Sequence, residues 1–404
     1  MTEAVIASYA RSPIGRAFKG SLREMRPDDM AAQMVTAALA KVPELAVGDV
    51  NDLIVGNAGP AGPSGFNMGR VISVLLDQDG LPGTTVNRYC ASSLQTTRMA
   101  MHAIRAGEGD VYISAGVESV SSAALGPTDI PGTENPLFSE AMARSAERAA
   151  SGDKWVDPRV SGRLPDVYIG MGLTAENVAE LDGISRADQD AWAERSQRRT
   201  KEAIERGFYA REISPLTLAD GSVVEADDSP RPSTTLEGLA GLNPAFRENG
   251  TVTAGNACPL NDGAAAVVVM SDTKAAELGI TPLARIVATS VTGLSPEIMG
   301  LGPVGAVEAV LASAGLSVAD IDLFEINEAF ASQVLGSIRR LKIDEDRVNV
   351  SGGAIALGHP FGMTGARITA TLLNNMAERD ARFGIETMCV GGGQGMAMLV
   401  ERLS

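Results

Sequence analysis

Asp52-Leu53-Ile54-Val55-Gly56-Asn57 reads against Asp322-Leu323-Phe324-Glu325-Ile326-Asn327 with three identities in six positions, at an offset of 270 residues. Duplication decides architecture, so the surroundings of each copy carry the next step. Each copy follows a helix-like segment, residues 29–41 in the first case and 304–315 in the second. Further on, Val86-Asn87 opens a strand-to-helix segment ending in Arg98, and Val348-Asn349 opens one containing Arg367. A third pair, residues 109–116 and 385–392, shares a strand-then-glycine texture. Three matches in the same order imply two related α/β halves. Strands alternating with helical patterns in each half imply βαβ crossovers and mostly parallel central sheets.

The texture changes between the halves. Residues 121–250 are rich in Pro, Gly and charge and have no counterpart in the other half. Ser185 with Asp188 forms a variant capping box, and the helix it starts should run to Arg206, with Gly207 as a left-handed stop. The expected organisation is therefore a first half of residues 1–120 and 251–281, a second half of 282–404, and an inserted loop domain of 121–250 covering the active site. Thr251-Val252-Thr253 and Ala264–Met270 read as strands returning to the first half. Arg195, Arg198, Arg199, Lys201 and Arg206 on the insertion helix read as a solvated charged face in preference to a phosphate site.

Composition narrows the function. Against 34 Lys and Arg stand 50 Asp and Glu, a formal charge of −16 over 404 residues. Such a field repels phosphate, which excludes nucleic-acid or membrane-surface binding through bulk charge. No basic-then-apolar leader opens the sequence, and apolar runs such as Ala264–Met270 are too short to cross a bilayer. Only three cysteines (Cys90, Cys258, Cys389) and two histidines (His102, His359) occur. That count suits neither a disulfide framework nor a structural metal site, and a reducing cytoplasm is the expected location.

The same scarcity confines the chemistry. Cys90 sits where the strand pattern of Val86-Asn87-Arg88-Tyr89 gives way to a helix over 94–105, and a helix N-terminus stabilises a thiolate. The alternative for Cys90 is a small buried hydrophobe. A nucleophilic thiol needs a base. His102 lies twelve residues along the same helix, about 18 Å away at ~1.5 Å per residue, and reads as structural. His359 lies in Gly352-Gly353-Ala354-Ile355-Ala356-Leu357-Gly358-His359-Pro360-Phe361-Gly362, after a strand expected at 347–351, in the second-half position matching Cys90. Cys389 ends an apolar strand before Val390-Gly391-Gly392-Gly393-Gln394-Gly395, where consecutive glycines permit a nest of N–H groups for an oxyanion. Asn327, capping the repeated strand, could aim its amide inward. All lie on strand-end loops, where open α/β folds place their sites. No P-loop or Gly-x-Gly-x-x-Gly turn is present, so nucleotide phosphates held that way are unsupported.

Four segments in order and spacing, Asn87–Ser93, Asn327-Glu328-Ala329-Phe330-Ala331, Gly352–Pro360 and Cys389–Gly395, resemble the thiolase family of acetyl-CoA acetyltransferases and 3-ketoacyl-CoA thiolases. The resemblance spans essentially the whole chain. It implies a five-layered αβαβα sandwich of two pseudo-symmetric βαβαβαββ halves with an inserted loop domain, in agreement with the repeat. It further implies that Cys90 carries the acyl group, His359 activates it and Cys389 is the acid/base. One oxyanion hole would combine His359 with a water held by Asn327, and the other the N–H groups of Cys90 and Gly391. Phe330, Met171 and Arg231 match positions lining the coenzyme A site, with Ala254 and Cys258 beside them. Coenzyme A is then a substrate, with no metal or permanently bound cofactor. The expected partners are CoA thioesters and a second copy of the chain, as homodimer or homotetramer.

Two departures bear on substrate. Many acetoacetyl-specific thiolases have His before Met-Gly in the loop domain, where this chain has Gly170 before Met171-Gly172; Ser often follows Gly-Asn-Ala, where this chain has Cys258. Gly170 opens space, so acyl groups larger than acetyl are the expectation. The motifs do not encode direction: thiolysis suggests a catabolic, β-oxidation-type role, and a biosynthetic acetoacetyl-CoA-forming enzyme would carry the same residues. Ketoacyl synthases use Cys with two His, or with His and Asn, and lack the second cysteine before the glycine-rich turn, whereas this chain has one loop histidine and Cys389; a cysteine hydrolase has no need of Cys389, and a non-catalytic lipid-binding member of the fold has no need of the intact set.

Overall fold

The computed structural model describes residues 2–125 and 130–404; Met1 and residues 126–129 of the expected insertion lie outside the described residues. The first half contributes β1 (Ala4–Arg11), β2 (Gly15–Arg16), α1 (Pro27–Leu39), β3 (Asp52–Gly56), α2 (Met68–Leu75), β4 (Gly83–Val86), α3 (Ser92–Ala106) and β5 (Val111–Ser119). The following stretch holds α4 (Ser139–Ser151), α5 (Met171–Leu181), α6 (Arg186–Glu205), the small hairpin β6 (Leu216–Thr217) and β7 (Val223–Val224), and α7 (Leu236–Ala240). The chain then returns through β8 (Asn261–Ser271) and α8 (Asp272–Leu278). The second half is β9 (Ala284–Gly293), α9 (Gly302–Ala314), β10 (Leu323–Ile326), α10 (Ala331–Leu341), α11 (Ala354–Leu357), α12 (Thr364–Glu378), β11 (Phe383–Val390) and β12 (Gln394–Arg402).

The strands run β10-β11-β12-β9-β1-β8-β5-β3-β4, with β2 on β8. β3 is parallel to β4 and β5, and β10 is parallel to β11. The two sheets expected from the repeat are joined, because β1 and β9 pair at Val5–Arg285 and Ile6–Ala284. Burial on both faces explains the unbroken apolar run in β8. Ala265, Val267 and Val269 face one core and Ala264, Ala266, Val268 and Met270 another, so strand alternation persists without polar positions.

Three apolar cores give the five layers. The central core packs α3 and α12 against each other and between the two half-sheets. A second core covers the far face of the first half with α1, α2 and α8, and a third covers the second half with α9 and α10. The stretch Pro296–Ala314 has the length and hydropathy of a membrane span, longer than the runs noted from sequence. It breaks at Ile298 (φ −132°, ψ 33°), and Ala306, Val307, Val310 and Leu311 lie in the third core.

The repeat is real, with two corrections. Pairing of Leu53 with Ile113 and of Leu323 with Gly384 sets the β5–β11 offset at 271 residues, so the glycine-based match of 109–116 to 385–392 was slid by five. The strand expected at 347–351 is reduced to single bridges, Phe324–Val348 and Val350–Gly352. Asn349, at φ +46°, takes over the pairing with its side chain: its Oδ1 accepts from Ile326 N–H at 2.8 Å and its Nδ2 donates to Ile326 O at 2.9 Å. Thr251–Thr253 likewise forms only a bridge, between Thr253 and Pro244.

The halves meet closely where the loops of interest lie. A Cβ on Gly365 in α12 would stand 2.2 Å from Leu94 N in α3, and Ala366 N–H donates to Ser93 Oγ at 2.9 Å. Gly365→Ala is therefore expected to lower unfolding free energy by about 1–3 kcal/mol through overpacking. Denaturant titration with an unchanged midpoint would contradict this close approach.

Candidate active site

β4 ends at Val86, and the next four residues are held rather than coiled. Asn87 Oδ1 accepts from Tyr89 N–H at 2.8 Å while Asn87 Nδ2 donates to Ala58 O at 3.0 Å. Ser92 Oγ accepts from Arg88 N–H at 2.9 Å and donates to Tyr89 O at 2.7 Å. Tyr89 takes φ +45°, a costly conformation for a bulky residue. Cys90 follows it in a 3₁₀ turn over Tyr89–Ala91, with α3 starting only at Ser92. Arg88 reaches Gln95 Oε1 (2.9 Å) and Gln394 Oε1 (2.6 Å), which ties this turn to the glycine turn of the other half. There Gly391 N–H acts to lower the Cys90 thiol, and Gly392 and Gly393 have φ of +75° and +82°.

His359 comes from the opposite half. Its backbone N–H donates to Asn261 Oδ1 at 3.0 Å, and the preceding Gly358, at φ +113°, has no room for a Cβ against the Asn261 side chain. Its buried ring meets Asn327 Nδ2 through Nε2 at 3.2 Å and Thr364 Oγ1 through Nδ1 at 2.6 Å. Asn327 follows β10 directly, as expected, and is pinned by its N–H to Thr387 O at 3.0 Å. Cys389 lies buried near the end of β11, in one apolar cluster with Phe330, Ala329, Ala257 and Met299, against which Met171 packs. Cys258 is half-buried beside them and donates its N–H to Ala329 O at 3.0 Å. Arg231 and Ala254 are exposed and outside that cluster, and His102 is exposed on α3.

Burial decides the protonation states. It pushes the Cys90 thiol up to about 11, against the opposing bond from Gly391 N–H, and it pushes His359 down to about 3, helped by Arg367. Cys258 rises to about 12 and Cys389 rises well above the usual thiol range, each raised further by the neighbouring sulfurs. The expected helix-terminus stabilisation of a Cys90 thiolate is thus overridden. A helix terminus contributes about 0.3–1 kcal/mol, less than the ~1.4 kcal/mol of a single pKa unit. The resting pair is a neutral thiol and a neutral imidazole.

Several residues of the site were not singled out from sequence. Phe246 stacks edge-to-face on Phe330 at 5.9 Å, and a Cβ on Gly172 would lie 2.1 Å from its ring, so the glycine after Met171 makes room for Phe246. Asn261, Thr364 and Glu118 act on the His359 loop; Glu118 accepts from Gly362 N–H at 2.9 Å, from Ala58 N–H at 3.0 Å and from Gly59 N–H at 3.1 Å. Their only sequence signal is proximity to Gly and Pro turns. The insertion helix corrects another reading. Arg195 and Arg199 both donate to Val348 O at 2.9 Å, and Arg206 donates to Ser351 Oγ at 2.7 Å and pairs with Glu378 at 2.9 Å. These three anchor α6 to the second half; only Arg198 and Lys201 form the exposed i,i+4 face that was expected.

Comparison with known proteins gives a family. The family model "Thiolase, N-terminal domain" matches residues 4–273 and "Thiolase, C-terminal domain" matches residues 280–402. The chain is 45% identical to the 3-oxoadipyl-CoA/3-oxo-5,6-dehydrosuberyl-CoA thiolase of Escherichia coli (strain K12), covering 100% of both chains. It is 43% identical to a 3-ketoacyl-CoA thiolase of Bacillus subtilis (strain 168), covering 99% of this chain and 100% of the relative. Among solved structures, human mitochondrial 3-ketoacyl-CoA thiolase in complex with CoA superposes with a TM-score of 0.86 at 34% identity, covering 100% of this chain and 98% of that one.

The neutral resting pair has a measurable signature. Alkylation of the free protein at Cys90 by iodoacetamide is expected to keep accelerating with pH from 6 to about 10, because the thiolate form is reached only toward pH 11. A rate that levels off below pH 8 would mean that the thiolate already exists at rest.

Proposed function

The chain belongs to the thiolase family, and from that membership we propose that Cys90, His359 and Cys389 cleave 3-ketoacyl-CoA with coenzyme A, giving acetyl-CoA and a shortened acyl-CoA. The observation that carries the reading is that the Cys90, Cys258 and Cys389 sulfurs lie close enough for Cys90 to raise Cys258 and for both to raise Cys389, with Gly391 N–H acting on Cys90, while the buried imidazole of His359 is held by Asn327, two residues before Ala329 of the Cys389 cluster. Cys90 gives its proton to His359 and attacks the C3 ketone. The C2–C3 bond breaks, Cys90 keeps the acyl group as a thioester, and the departing enolate takes the Cys389 proton to become acetyl-CoA. The Cys389 thiolate then takes the proton of the incoming CoA thiol. The CoA sulfur attacks the thioester, acyl-CoA leaves, and His359 returns its proton to Cys90. Each negative oxygen needs donors: His359 with a water held by Asn327 would serve one, and the N–H groups of Cys90 and Gly391 the other. Coenzyme A enters as a substrate, and the chemistry calls for no metal and no permanent cofactor.

The direction favoured is degradative. Cleavage of a β-ketothioester is downhill, and the similar proteins named above are thiolases of ketoacyl and oxoadipyl substrates. Chain length follows from Gly170, the N-cap of α5, where an added side chain would meet nothing within 4 Å. That space admits acyl groups larger than acetyl. The exposed side chains of Phe66, Val74 and Leu75, near the edge strand β4, support a homo-oligomer, and three free cysteines suit a reducing cytoplasm.

Steady-state thiolysis over a series from acetoacetyl-CoA to longer 3-ketoacyl esters, with 3-oxoadipyl-CoA included, tests the assignment. Cys90→Ser is expected to lower kcat/KM by roughly 10⁴-fold or more. Gly170→His is expected to cut turnover of longer esters by roughly tenfold relative to acetoacetyl-CoA. Full CoA-dependent cleavage by Cys90→Ser would overturn the nucleophile, and wild-type turnover confined to acetoacetyl-CoA would overturn the chain-length reading.

A further inference from the structure

His359 has two ring nitrogens, and in the neutral ring only the one that carries no hydrogen can take a proton. The contacts decide which one that is. Thr364, the first residue of α12, places Oγ1 2.8 Å from Pro360 O and 2.6 Å from His359 Nδ1. A hydroxyl carries one hydrogen, and a carbonyl can only accept. With the hydroxyl donating back to Pro360 O, as a threonine at a helix start commonly does four residues back, Nδ1 must supply the hydrogen of the shorter contact. Nε2 then holds the lone pair and accepts from Asn327 Nδ2 at 3.2 Å, which leaves Asn327 Oδ1 as an unpaired buried acceptor.

The competing arrangement turns the Thr364 hydroxyl toward Nδ1, moves the ring hydrogen to Nε2 and flips the Asn327 amide. Pro360 O would still be served, since it also accepts from the N–H groups of Met363 and Thr364 at 3.0 Å. The cost falls on Asn327, whose NH₂ group would be buried with both hydrogens unmet. Orphaned donors are rarer in folded proteins than orphaned acceptors, so the first arrangement is favoured.

We propose that Thr364 is a positioning residue that holds His359 as the Nδ1–H tautomer and thereby makes Nε2 the atom that receives the Cys90 proton. The inference rests on the thiol–imidazole pairing proposed above. In that step the S–H bond of Cys90 breaks and an Nε2–H bond forms, giving thiolate and imidazolium; the hydrogen bond from Asn327 Nδ2 to Nε2 is given up, while the Nδ1–H bond to Thr364 persists throughout. A hydroxyl in this place differs from the carboxylate of a Ser-His-Asp triad. It orients the ring equally well but adds no negative charge, so it does not favour a protonated His359 at rest.

The presence of only two histidines makes the test direct. In the full-length protein labelled with ¹⁵N-histidine, exposed His102 titrates as an internal reference. His359 is expected to show a pyrrole-type signal at Nδ1 and a pyridine-type signal at Nε2 near neutral pH. Thr364→Val should mix or reverse that pattern and lower kcat on the order of 10²-fold, the lower end of what a positioned general base contributes, with Thr364→Ser restoring both. An Nε2–H tautomer in the wild type, or full kcat in a folded Thr364→Val protein, would overturn the proposal. If the valine variant does not fold, the wild-type spectrum alone decides. Loss of the thiolase reading itself would appear separately, as wild-type protein without thiolysis whatever its tautomer.

Discussion

The Glu328 carboxylate is the interaction on which the rest of the site hangs. It is fully buried and accepts four hydrogen bonds: from Trp192 Nε1 at 3.1 Å, Ser196 Oγ at 2.6 Å, Asn349 Nδ2 at 2.9 Å and Ile355 N–H at 3.1 Å. Two donors sit on α6 of the insertion, one on the turn that replaces a strand, and one on the short helix leading to His359. Gly353 is glycine because a Cβ there would stand 2.3 Å from this carboxylate, and its N–H goes to Ser196 Oγ at 3.1 Å. A buried carboxylate is tolerated only when its oxygens are met. Meeting them fixes insertion, His359 loop and Asn327, its chain neighbour, in one arrangement.

Around that arrangement His359 and Cys389 are buried and Cys90 and Cys258 half-buried, and burial sets the chemistry. The same burial that raises the thiols and lowers His359 keeps Cys90, Cys389 and His359 themselves uncharged at rest. In the proposed reaction, charge on these groups forms only when a proton moves from Cys90 to His359. Fixed dipoles such as Gly391 N–H are worth most in that low-dielectric setting and need no reorganisation when the oxyanion appears. The −16 charge of the chain gives no long-range help to an anionic CoA ester. Arg195, Arg199 and Arg206 hold α6 in place and are neither a solvated face nor a phosphate site. Among the residues expected to meet the phosphates, that leaves exposed Arg231.

What could be read from sequence was what local chemistry specifies. The pair Asp52–Asn57 and Asp322–Asn327 lies on β3 and β10 as its spacing implied. The capping box at Ser185 and Asp188 is present, with Gly207 left-handed at φ +73°. Cys90, His359, Cys389 and Asn327 stand out as candidates because they are rare or follow repeated strands. The unread parts depend on partners far away in sequence. Val348-Asn349-Val350 has a strand's pattern, yet the Asn349 side chain usurps the ladder. Arg195 and Arg206 have the pattern of a solvated face, yet they cap loops about 150 residues distant. Phe246 and Thr364 carry no motif, and they matter through a ring on Gly172 and a hydroxyl on His359.

The corrected register also shows how two similar halves yield one site. At an offset of 271, Cys389 corresponds to Glu118, and the two face equivalent glycines, Gly395 and Gly263, across their sheets. Asn327 likewise corresponds to Asn57 at an offset of 270. In the second half the asparagine amide addresses His359, with Cys389 at the strand end. In the first, Asn57 Nδ2 donates to Val117 O at 2.9 Å and Glu118 clasps the backbone N–H of Gly362. In the proposed reaction one asparagine and strand-end position serves the chemistry, and its twin holds the His359 loop of the other half in place. The proposed nucleophile has the converse origin, since Cys90 comes from the first half and leans on Gln394 of the second through Arg88. Neither half contains a complete site, and the close contact of α3 with α12 brings the two sets of groups together.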